Sequence, residues 1–355
     1  MLVFVGTYTQ RGSTGIYAGH FDAMSGAVTG IEPVAAIPNP TFQVLHPNGR
    51  ILYSVGEQWD GGGRHDGTVH AFAIEAGTGH LTPLNHMPAG GDGPCHLAVD
   101  RAGRFVFVAN YASGSAAMFP IEADGRLGLM TDLVQHQGKG SVPDRQEGPH
   151  AHSVTLAPDN RFAFVADLGI DRLMAYRLDT EHGRILPHDP PWVATRPGSG
   201  PRHLAFHPNR RLAYLIHELG NTILVLAYDE STGKLEPRQE ISTLPPGYAA
   251  ESFAADVHVH PSGRFVYGSN RGHDTITVFA MDEHSGVLTP LAHEPARGKW
   301  PRNFVIDPSG TFLLAANQES DSITTFRIDE RSGRLTPVGD PAPVSAPVCL
   351  NLGVW

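Results

Sequence analysis

One pattern occurs six times along this chain and constrains its fold more than any other feature. Each copy is a short apolar run, a four-residue turn rich in Pro, Asp, Asn and Gly, and a second apolar run, as in LAVDRAGRFVFVANY (97–111) and FVIDPSGTFLLAANQ (304–318). Two apolar runs around such a turn predict a β-hairpin. The second turn residue recurs 47 to 57 positions apart, at Pro47, Arg101, Pro158, Pro208, Pro261 and Pro308. This spacing is too long for one hairpin and fits a four-stranded sheet.

The second half of each repeat agrees with a four-stranded unit. Segments such as DTITVFAMDEHSGVLTP (274–290) and DSITTFRIDERSGRLTP (321–337) read as a strand, a turn and a short strand. Six copies of such a unit predict a β-propeller. The chain ends supply a seventh blade, because residues 2–9 align with the second strand of the other copies, residues 15–30 with the outer strands, and residues 347–354 with the first strand.

The repeat therefore predicts an all-β fold, a seven-bladed β-propeller in a single domain of residues 1–355, closed by pairing of the N- and C-terminal strands. Closure of this kind removes the open edges of the sheets. A β-sandwich of two domains does not explain a sustained period of about fifty residues. No stretch of ten or more residues shows helical periodicity with caps, which argues against an α/β fold.

Composition excludes several classes of partner. The net charge is −10, which argues against nucleic acid. No apolar run approaches the ~18 residues of a membrane span, so no membrane partner is predicted. Met1 leads directly into a strand-like segment without a basic region, so we expect no signal peptide and a cytoplasmic location. A closed ring has no need to oligomerise, and we expect a monomer or a weak homo-oligomer.

The two cysteines, Cys95 and Cys349, form neither a disulfide framework nor a zinc site. They occupy equivalent first-strand positions two blades apart. We therefore expect both to face the central channel as reduced thiols, too far apart for a disulfide bond.

Polar residues gather at one rim of the predicted channel. The first strand of each blade lines the channel, and its start meets the end of the antiparallel second strand at the same rim. Counting outward from the turns places His152 opposite Asp167, Arg202 opposite His217, and Arg302 opposite Asn317. The residues expected at this rim are His150, His152, Arg202, His203, Glu218, Arg271 and Arg302, with Asp167 just behind them.

Each of these residues also has a purely structural interpretation. Asp167 and His203 are better explained by hydrogen bonds that tie neighbouring blades, because buried polar groups need partners. The arginines are harder to explain in this way, because three guanidinium groups at one small mouth repel each other unless an anion or carboxylates neutralise them. One acid, Glu218, stands at the outermost second-strand position in that half of the ring. The alternative that Glu218 and the arginines neutralise one another, with no bound anion, therefore stays open.

The residue types at this rim favour acid–base chemistry on an anionic small molecule. Arginines bind carboxylates and phosphates through paired hydrogen bonds, and a histidine beside a glutamate can act as general base and acid. No Ser, Cys or Lys forms an obvious nucleophile pair, which favours base-activated water over a covalent route. No concentrated ligand set occurs, so we predict no metal and no cofactor, although one carboxylate and two histidines could hold a cation weakly.

At these residues the chain resembles the bacterial 6-phosphogluconolactonase family of seven-bladed propellers, which includes the fungal carboxymuconate-cyclising enzymes. The motifs that carry the resemblance cover nearly the whole chain: FVGTYT (4–9), RQEGPHAHSV (145–154), FVADLGIDRLMAY (164–176), GPRHLAFHP (200–208), AYLIHELGNTI (213–223), GSNRGHDTITVF (268–279) and WPRNFVIDPSG (300–310). The resemblance implies a metal-independent lactone enzyme. It implies a catalytic cluster of His152, Arg202, Glu218 and Arg271, and candidate substrate-binding residues His150, His203, Asp167 and Arg302.

Three functions are consistent with this rim. The first is hydrolysis of a sugar lactone, with 6-phospho-D-glucono-1,5-lactone as the leading substrate. In it His152 or Glu218 activates water, Arg202 or Arg271 stabilises the oxyanion, and the remaining arginine with Arg302 holds the phosphate or carboxylate. The second is lactone formation or isomerisation on a carboxymuconate-type acid, and the third is a non-catalytic interaction platform. The sequence does not choose between His152 and Glu218 as the base, since both are expected to face the channel.

Overall fold

Seven four-stranded antiparallel sheets account for nearly all of the regular structure. The computed structural model describes residues 1–58, 66–283 and 285–353. The helices within these ranges are two three-residue 3-10 helices, Thr9–Arg11 and Gln318–Ser320. None of the helices in the described part of the chain is long and apolar enough to cross a membrane.

Each sheet is one blade, and in six of the seven the strands are hydrogen-bonded in chain order. Blade 1 contains β28 (Pro347–Gly353), β1 (Leu2–Thr7), β2 (Ile16–Phe21) and β3 (Val28–Ala35). Blades 2 and 3 contain β4 (Gln43–Leu45), β5 (Ile51–Glu57), β6 (Asp66–Ile74) and β7 (Leu81–Asp92), then β8 (Pro94–Val99), β9 (Phe105–Asn110), β10 (Ser115–Pro120) and β11 (Asp132–Gln135). Blades 4 and 5 contain β12 (Ala151–Leu156), β13 (Phe162–Asp167), β14 (Arg172–Asp179) and β15 (Arg184–Ala194), then β16 (Pro201–Phe206), β17 (Leu212–His217), β18 (Thr222–Asp229) and β19 (Lys234–Ser242). Blades 6 and 7 contain β20 (Phe253–Val259), β21 (Phe265–Arg271), β22 (Thr275–Met281) and β23 (Leu288–Pro295), then β24 (Pro301–Ile306), β25 (Phe312–Asn317), β26 (Ser322–Ile328) and β27 (Leu335–Pro343).

The predicted closure of the ring by the two ends of the chain is confirmed. Strand β28 pairs with β1 in antiparallel register, with Val3 opposite Leu352 and Val5 opposite Leu350. The C-terminal segment is thus the first strand of blade 1, and the N-terminal segment is its second strand. Seven blades in a closed ring match the fold expected from the repeat.

The hydrophobic core consists of seven clusters, each of which lies between two neighbouring blades. For example, one cluster contains Phe164 of blade 4 and Leu215 of blade 5, and another contains Leu314 of blade 7 and Phe21 of blade 1. A second strand such as FVFVAN (105–110) is buried along its whole length because each of its faces packs against another blade. This explains why the second strands are continuous apolar runs, which the hydrophobic effect drives together.

Histidines in the first turn tie neighbouring blades together at the rim opposite the predicted site. His207 Nε2 lies 2.8 Å from the Gly263 carbonyl oxygen, and His260 Nε2 lies 2.8 Å from that of Gly310. Both glycines have positive φ, and at either position an added Cβ would lie within 2.6 Å of the histidine ring. Only glycine combines this backbone conformation with so close an approach.

In the first hairpins whose pairing was predicted, the register is correct near the turn and wrong at the end away from the turn. In blade 4 the structure pairs Ser153 with Ala166, as counted from the turn. It then pairs Ala151, rather than His152, with Asp167. A β-bulge causes this shift, because it places one extra residue in the first strand and leaves that residue, His152, outside the ladder.

Bulges at the equivalent position shift the pairing in five other first strands of the described chain. The structure pairs Pro201 with His217 and Pro301 with Asn317, in each case one residue away from the prediction. The residues left unpaired are Cys95, Arg202, Arg302 and Val348, and in β20 both Ala255 and Asp256. The bulges therefore fall on the residues that the sequence placed at the channel.

The contact between the turn histidine and the next blade predicts a stability difference between two glycine substitutions. Gly263→Ala introduces a side chain at φ +77° and displaces His207, whereas Gly339→Ala introduces one at φ +62° with no atom within 4 Å. We expect Gly339→Ala to lower the free energy of unfolding by about 1 kcal/mol and Gly263→Ala by roughly twice that or more. Urea denaturation of both variants measures the difference, and equal losses would contradict a stabilising role for the His207 contact.

Candidate active site

A cavity of about 330 Å³ opens at the rim where the first strands begin. Every blade contributes to its wall, so the cavity lies on the axis of the ring. The contributing side chains, one for each blade, are Tyr8, Glu57, Cys95, His152, Glu218, Arg271 and Arg302. Most stand at a bulge of a first strand or at the end of a second strand, which is why the repeat brings them together.

A constriction separates this cavity from a second one of about 540 Å³ toward the opposite rim. The bulge residues Cys95, His152, Arg202, Arg302 and Val348 line the constriction. Because a bulge residue is not held in the strand ladder, its side chain is free to turn toward the axis. The bulges thus narrow the channel and place polar groups at the floor of the 330 Å³ cavity.

The carboxylate of Glu218 joins three arginines. Its Oε2 accepts a hydrogen bond from Arg202 Nε at 2.9 Å and forms an ion pair with Arg271 Nη2 at 2.7 Å, and its Oε1 accepts a hydrogen bond from Arg145 Nη2 at 2.5 Å. Burial alone would raise the pKa of Glu218, but Arg271 and Arg202 outweigh it and hold this pKa well below its ordinary value. Glu218 is therefore ionised at neutral pH and fully occupied by cations.

His152 lies beside this carboxylate and remains neutral. Its Nε2 is 3.9 Å from Glu218 Oε2, which is too long for a hydrogen bond. Burial, together with the charge of Arg202, holds the pKa of His152 well below that of a free imidazole. Its Nδ1 is buried and makes no hydrogen bond within the described residues. A ligand in the cavity can therefore reach this ring through Nε2.

Arg202 and Arg271 are fixed by main-chain carbonyl groups as well as by Glu218. Arg202 Nη1 donates to the Ala255 carbonyl oxygen, and Arg271 donates through Nε and Nη2 to those of Phe253 and Ala254. Burial and the nearby Arg271 lower the pKa of Arg202 to about 9. Both guanidinium groups are thus cationic at neutral pH and held in defined orientations.

Arg302 differs from the other three arginines. It forms no hydrogen bond and no ion pair with any described residue, and its guanidinium group lies 5.5 Å from the centre of the Tyr8 ring. It lines both the cavity and the constriction. Burial would lower the pKa of Arg302, but the surrounding Tyr8, Glu218 and Glu57 raise it. The cavity wall therefore carries a cation that has no anionic partner at hydrogen-bond distance among the residues described.

Three of the residues predicted to bind substrate do not line the 330 Å³ cavity. Asp167 is fully buried behind the wall, where its carboxylate accepts hydrogen bonds from the main-chain N–H of His150 and lies 2.5 Å from His136 Nδ1. The His150 ring stacks on Tyr111 at 4.5 Å. His203 lines the constriction and the opposite cavity. Any effect of these three residues on a ligand in the 330 Å³ cavity would be indirect.

Several residues of the wall were not expected from the sequence. Arg145 comes from the loop between β11 and β12, and the side chain of Gln146 holds this loop through hydrogen bonds to Ser141, Val142, Leu168 and Asp171. Phe253 and Trp300 form an aromatic edge near Arg271, whose guanidinium group lies 5.6 Å from the Trp300 ring. The counting of hairpins says nothing about loops between blades. The available signals were two of the family motifs, RQEGPHAHSV (145–154), which begins with Arg145, and WPRNFVIDPSG (300–310), which begins with Trp300.

The two cysteines are free, as predicted, and one lines each of the two cavities. Burial and Glu57 raise the pKa of Cys95, so this side chain is a neutral thiol that donates to the His152 carbonyl oxygen at 3.3 Å. A neutral thiol is a poor nucleophile. Across the described ranges, no three His, Cys, Asp or Glu side chains come together as a metal-binding group.

Comparison with known proteins agrees with this architecture. A family model described as "Lactonase, 7-bladed beta-propeller" matches residues 2–352. The protein named 6-phosphogluconolactonase of Bacillus subtilis is 39% identical over 308 residues, which are 86% of this chain and 84% of that protein. A second protein of the same name, from Formosa agariphila, is 35% identical over 86% of both chains.

Solved structures give the same result. The structure of the Pseudomonas aeruginosa periplasmic gluconolactonase is 35% identical, with a TM-score of 0.93 over 99% of both chains. That of a putative 6-phosphogluconolactonase from Bacteroides fragilis is 33% identical, with a TM-score of 0.91 over 99% of this chain and 97% of that one. The chain therefore belongs to the seven-bladed β-propeller lactonase family, as its motifs predicted.

Proposed function

We propose that this protein hydrolyses 6-phospho-D-glucono-1,5-lactone to 6-phosphogluconate. The observation that carries the proposal is the guanidinium group of Arg302, which pairs with no described carboxylate and stands in the wall of a cavity that also holds a neutral histidine and an arginine–carboxylate cluster. The relatives that bear the name 6-phosphogluconolactonase support the same substrate.

The charges of the cavity favour an anionic ligand. Arg145, Arg202 and Arg271 share the single carboxylate of Glu218, so the cluster carries excess positive charge. Arg302 adds a further cation that no described carboxylate pairs with. The wall also carries the carboxylate of Glu57, so four arginines face two carboxylates and the excess charge is still positive. Guanidinium groups bind phosphate through charge-assisted hydrogen bonds, and a buried cation is stabilised when an anion joins it. The phosphate of the substrate would bind at Arg302.

His152 is the better candidate for the general base. Glu218 already accepts two charge-assisted hydrogen bonds and forms a further ion pair with Arg271, and its depressed pKa makes it a weak proton acceptor. The neutral imidazole of His152 has an accessible Nε2 that is free of strong hydrogen bonds. When Nε2 takes a proton, the carboxylate of Glu218 at 3.9 Å stabilises the imidazolium ion.

The reaction then follows in two steps. A water attacks the lactone carbonyl carbon while His152 Nε2 accepts its proton, and Arg271 with Arg202 stabilises the oxyanion that forms. The tetrahedral intermediate collapses with cleavage of the bond to the ring oxygen, and the protonated His152 returns the proton to that oxygen. The second proton of the water remains on the new carboxyl group, which releases it to solvent at neutral pH, so the products are a carboxylate, a free hydroxyl group and a proton. No metal and no covalent enzyme intermediate is required.

Replacement of Arg302 tests the proposed substrate directly. The activity of Arg302→Met is compared with wild type in the presence of a metal chelator, on freshly prepared 6-phosphogluconolactone and on unphosphorylated gluconolactone, each against its spontaneous rate. Loss of a charge-assisted contact of about 2–3 kcal/mol predicts a KM for the phosphorylated lactone that rises roughly 30- to 150-fold. The KM for the unphosphorylated lactone should change less than about threefold.

Arg264→Met is the matched control, because Arg264 is an exposed arginine whose neighbours are main-chain carbonyl groups of the opposite rim. It should leave both substrates unaffected. Equal losses on both lactones in Arg302→Met would remove the phosphate from the role of Arg302. Failure of the wild-type protein to accelerate either reaction would overturn the lactonase proposal, and a carboxymuconate substrate would be tested next.

The low pKa of His152 predicts an unusual pH profile. The active form is the neutral ring, and burial with Arg202 keeps it neutral in the range where a free imidazole becomes protonated. The kcat/KM for unphosphorylated gluconolactone should therefore stay level as the pH falls through 6.5, the usual imidazole pKa, down to about 5.5. The unphosphorylated substrate is used because a phosphate group itself titrates near pH 6.

His152→Gln should lower kcat on both lactones by about 10²- to 10⁴-fold, since it removes the base. A wild-type profile that falls tenfold per pH unit below 6.5 would instead indicate a base with an ordinary imidazole pKa. Retention of most activity in His152→Gln would move the role of base to another group.

A further inference from the structure

A chain of hydrogen bonds runs from the active-site cluster through the constriction to the opposite cavity. Arg202, which binds Glu218 through Nε, is 3.2 Å from His203 Nε2 through its Nη1. His203 Nδ1 in turn lies 2.8 Å from the carboxylate of Asp256. Both His203 and Asp256 are almost completely buried, and neither lines the 330 Å³ cavity.

Asp256 is surrounded by hydrogen-bond donors. Its Oδ1 accepts from His203 Nδ1 and from the main-chain N–H of Val257, and its Oδ2 accepts from Asn303 Nδ2 at 2.6 Å and His258 Nε2 at 3.1 Å. The desolvation that would raise the pKa of Asp256 is outweighed by His258 and His203, which hold this pKa well below its ordinary value. Asp256 is therefore a carboxylate, and a carboxylate can only accept hydrogen bonds.

This environment determines which nitrogen of His203 carries the proton. The hydrogen bond to Asp256 requires a proton on Nδ1. A second proton on Nε2 would face the donor group of Arg202, so Nε2 keeps its lone pair and accepts from Arg202. The geometry thus defines one neutral form of the ring, with the proton on Nδ1. Burial and Arg202 also lower the pKa of His203 to about 4, in agreement with a neutral ring.

The contacts of Arg202 show what this ring achieves. The Nε proton goes to Glu218, and the two Nη1 protons go to the Ala255 carbonyl oxygen and to His203. Nη2 forms no hydrogen bond with the described residues, and Arg202 lines the constriction beside His152. The side chain is 2% exposed and is held by these three contacts, and Nη2 is its one nitrogen without a described hydrogen-bond partner.

We propose that Asp256 and His203 are positioning residues, which fix the guanidinium group of Arg202 for lactone hydrolysis and act on the substrate only through it. The proposal assigns His203 a role beside Arg202 in place of the direct substrate contact expected from the sequence. It rests on the proposed function for its kinetic test, but the protonation state of His203 can be measured without any substrate.

A double-mutant cycle tests the proposed coupling. Asp256→Asn removes the acceptor that sets the proton of His203, and His203→Gln keeps an oxygen that can accept from Arg202 Nη1 without help from Asp256. We expect Asp256→Asn to lower kcat about 10- to 100-fold, with little change in KM for unphosphorylated gluconolactone. In the His203→Gln background the same substitution should lower kcat less than about threefold, because residues that act as one unit are not additive.

Asp100→Asn is the matched control for a buried carboxylate. Asp100 is 1% exposed and accepts hydrogen bonds from the main-chain N–H groups of Arg104 and Phe105 at the opposite rim. It should lower stability and leave kcat unchanged. A loss of kcat by Asp256→Asn that is no larger than in Asp100→Asn, or that is equal in both His203 backgrounds, would overturn the proposal in favour of a purely structural carboxylate.

Nitrogen-15 NMR of the histidine side chains in the wild-type protein gives a result that does not depend on activity. A spectrum with the His203 proton on Nδ1 near neutral pH, which changes in Asp256→Asn, is expected. A proton on Nε2, or a doubly protonated ring, would contradict the proposal even in an active enzyme. If the wild-type protein hydrolyses neither lactone but His203 shows the expected form, the proposed function fails and the positioning geometry stands.

Discussion

The shared carboxylate of Glu218 is the interaction on which the rest of the cavity depends. Three arginines converge on it, and without its negative charge they would repel one another at the axis of the ring. Removal of one partner from a buried ion pair typically costs about 3–5 kcal/mol, because the other charge remains buried and unpaired. The carboxylate therefore orients Arg202 and Arg271 and keeps the neighbouring His152 close to a negative charge. This arrangement separates the group that organises the site from the group proposed to take the proton.

The fold could be predicted from the sequence because its information is local and repeated. Each first hairpin has two apolar runs around a turn, and six copies at a regular spacing leave few architectures available. The similarity of residues 347–354 to the other first strands predicted that the C-terminal segment pairs with the N-terminal strand in blade 1. Packing between blades buries both faces of the second strands, so these strands carry the strongest apolar signal.

The site was predicted less completely, for physical reasons. A bulge adds one residue at the end of a strand, and the apolar pattern does not register it, so the pairings of His152, Arg202 and Arg302 were each wrong by one residue. One signal was present: a proline, which cannot donate to the ladder, precedes Cys95, Arg202, Arg302 and Val348. Arg145 reaches Glu218 from a long loop between blades, and its place follows from tertiary contacts alone.

The four arginines of the site differ in whether a carboxylate binds them. Arg145, Arg202 and Arg271 are held by Glu218, whereas Arg302 has no carboxylate partner within the described chain. A residue list from the sequence treats all rim arginines alike, because it contains no information about which cation is already paired. The pairing, and therefore the proposed division between the reacting end and the phosphate end of the substrate, becomes visible only in the structure.

The most direct test of this account is a crystal structure of the protein with 6-phosphogluconate, the proposed product. The account predicts phosphate oxygens within about 3 Å of the Arg302 guanidinium group and the newly formed carboxylate beside His152 Nε2 and Arg271. Product bound in the 540 Å³ cavity at the opposite end, or product in the 330 Å³ cavity with its phosphate away from Arg302, would contradict it.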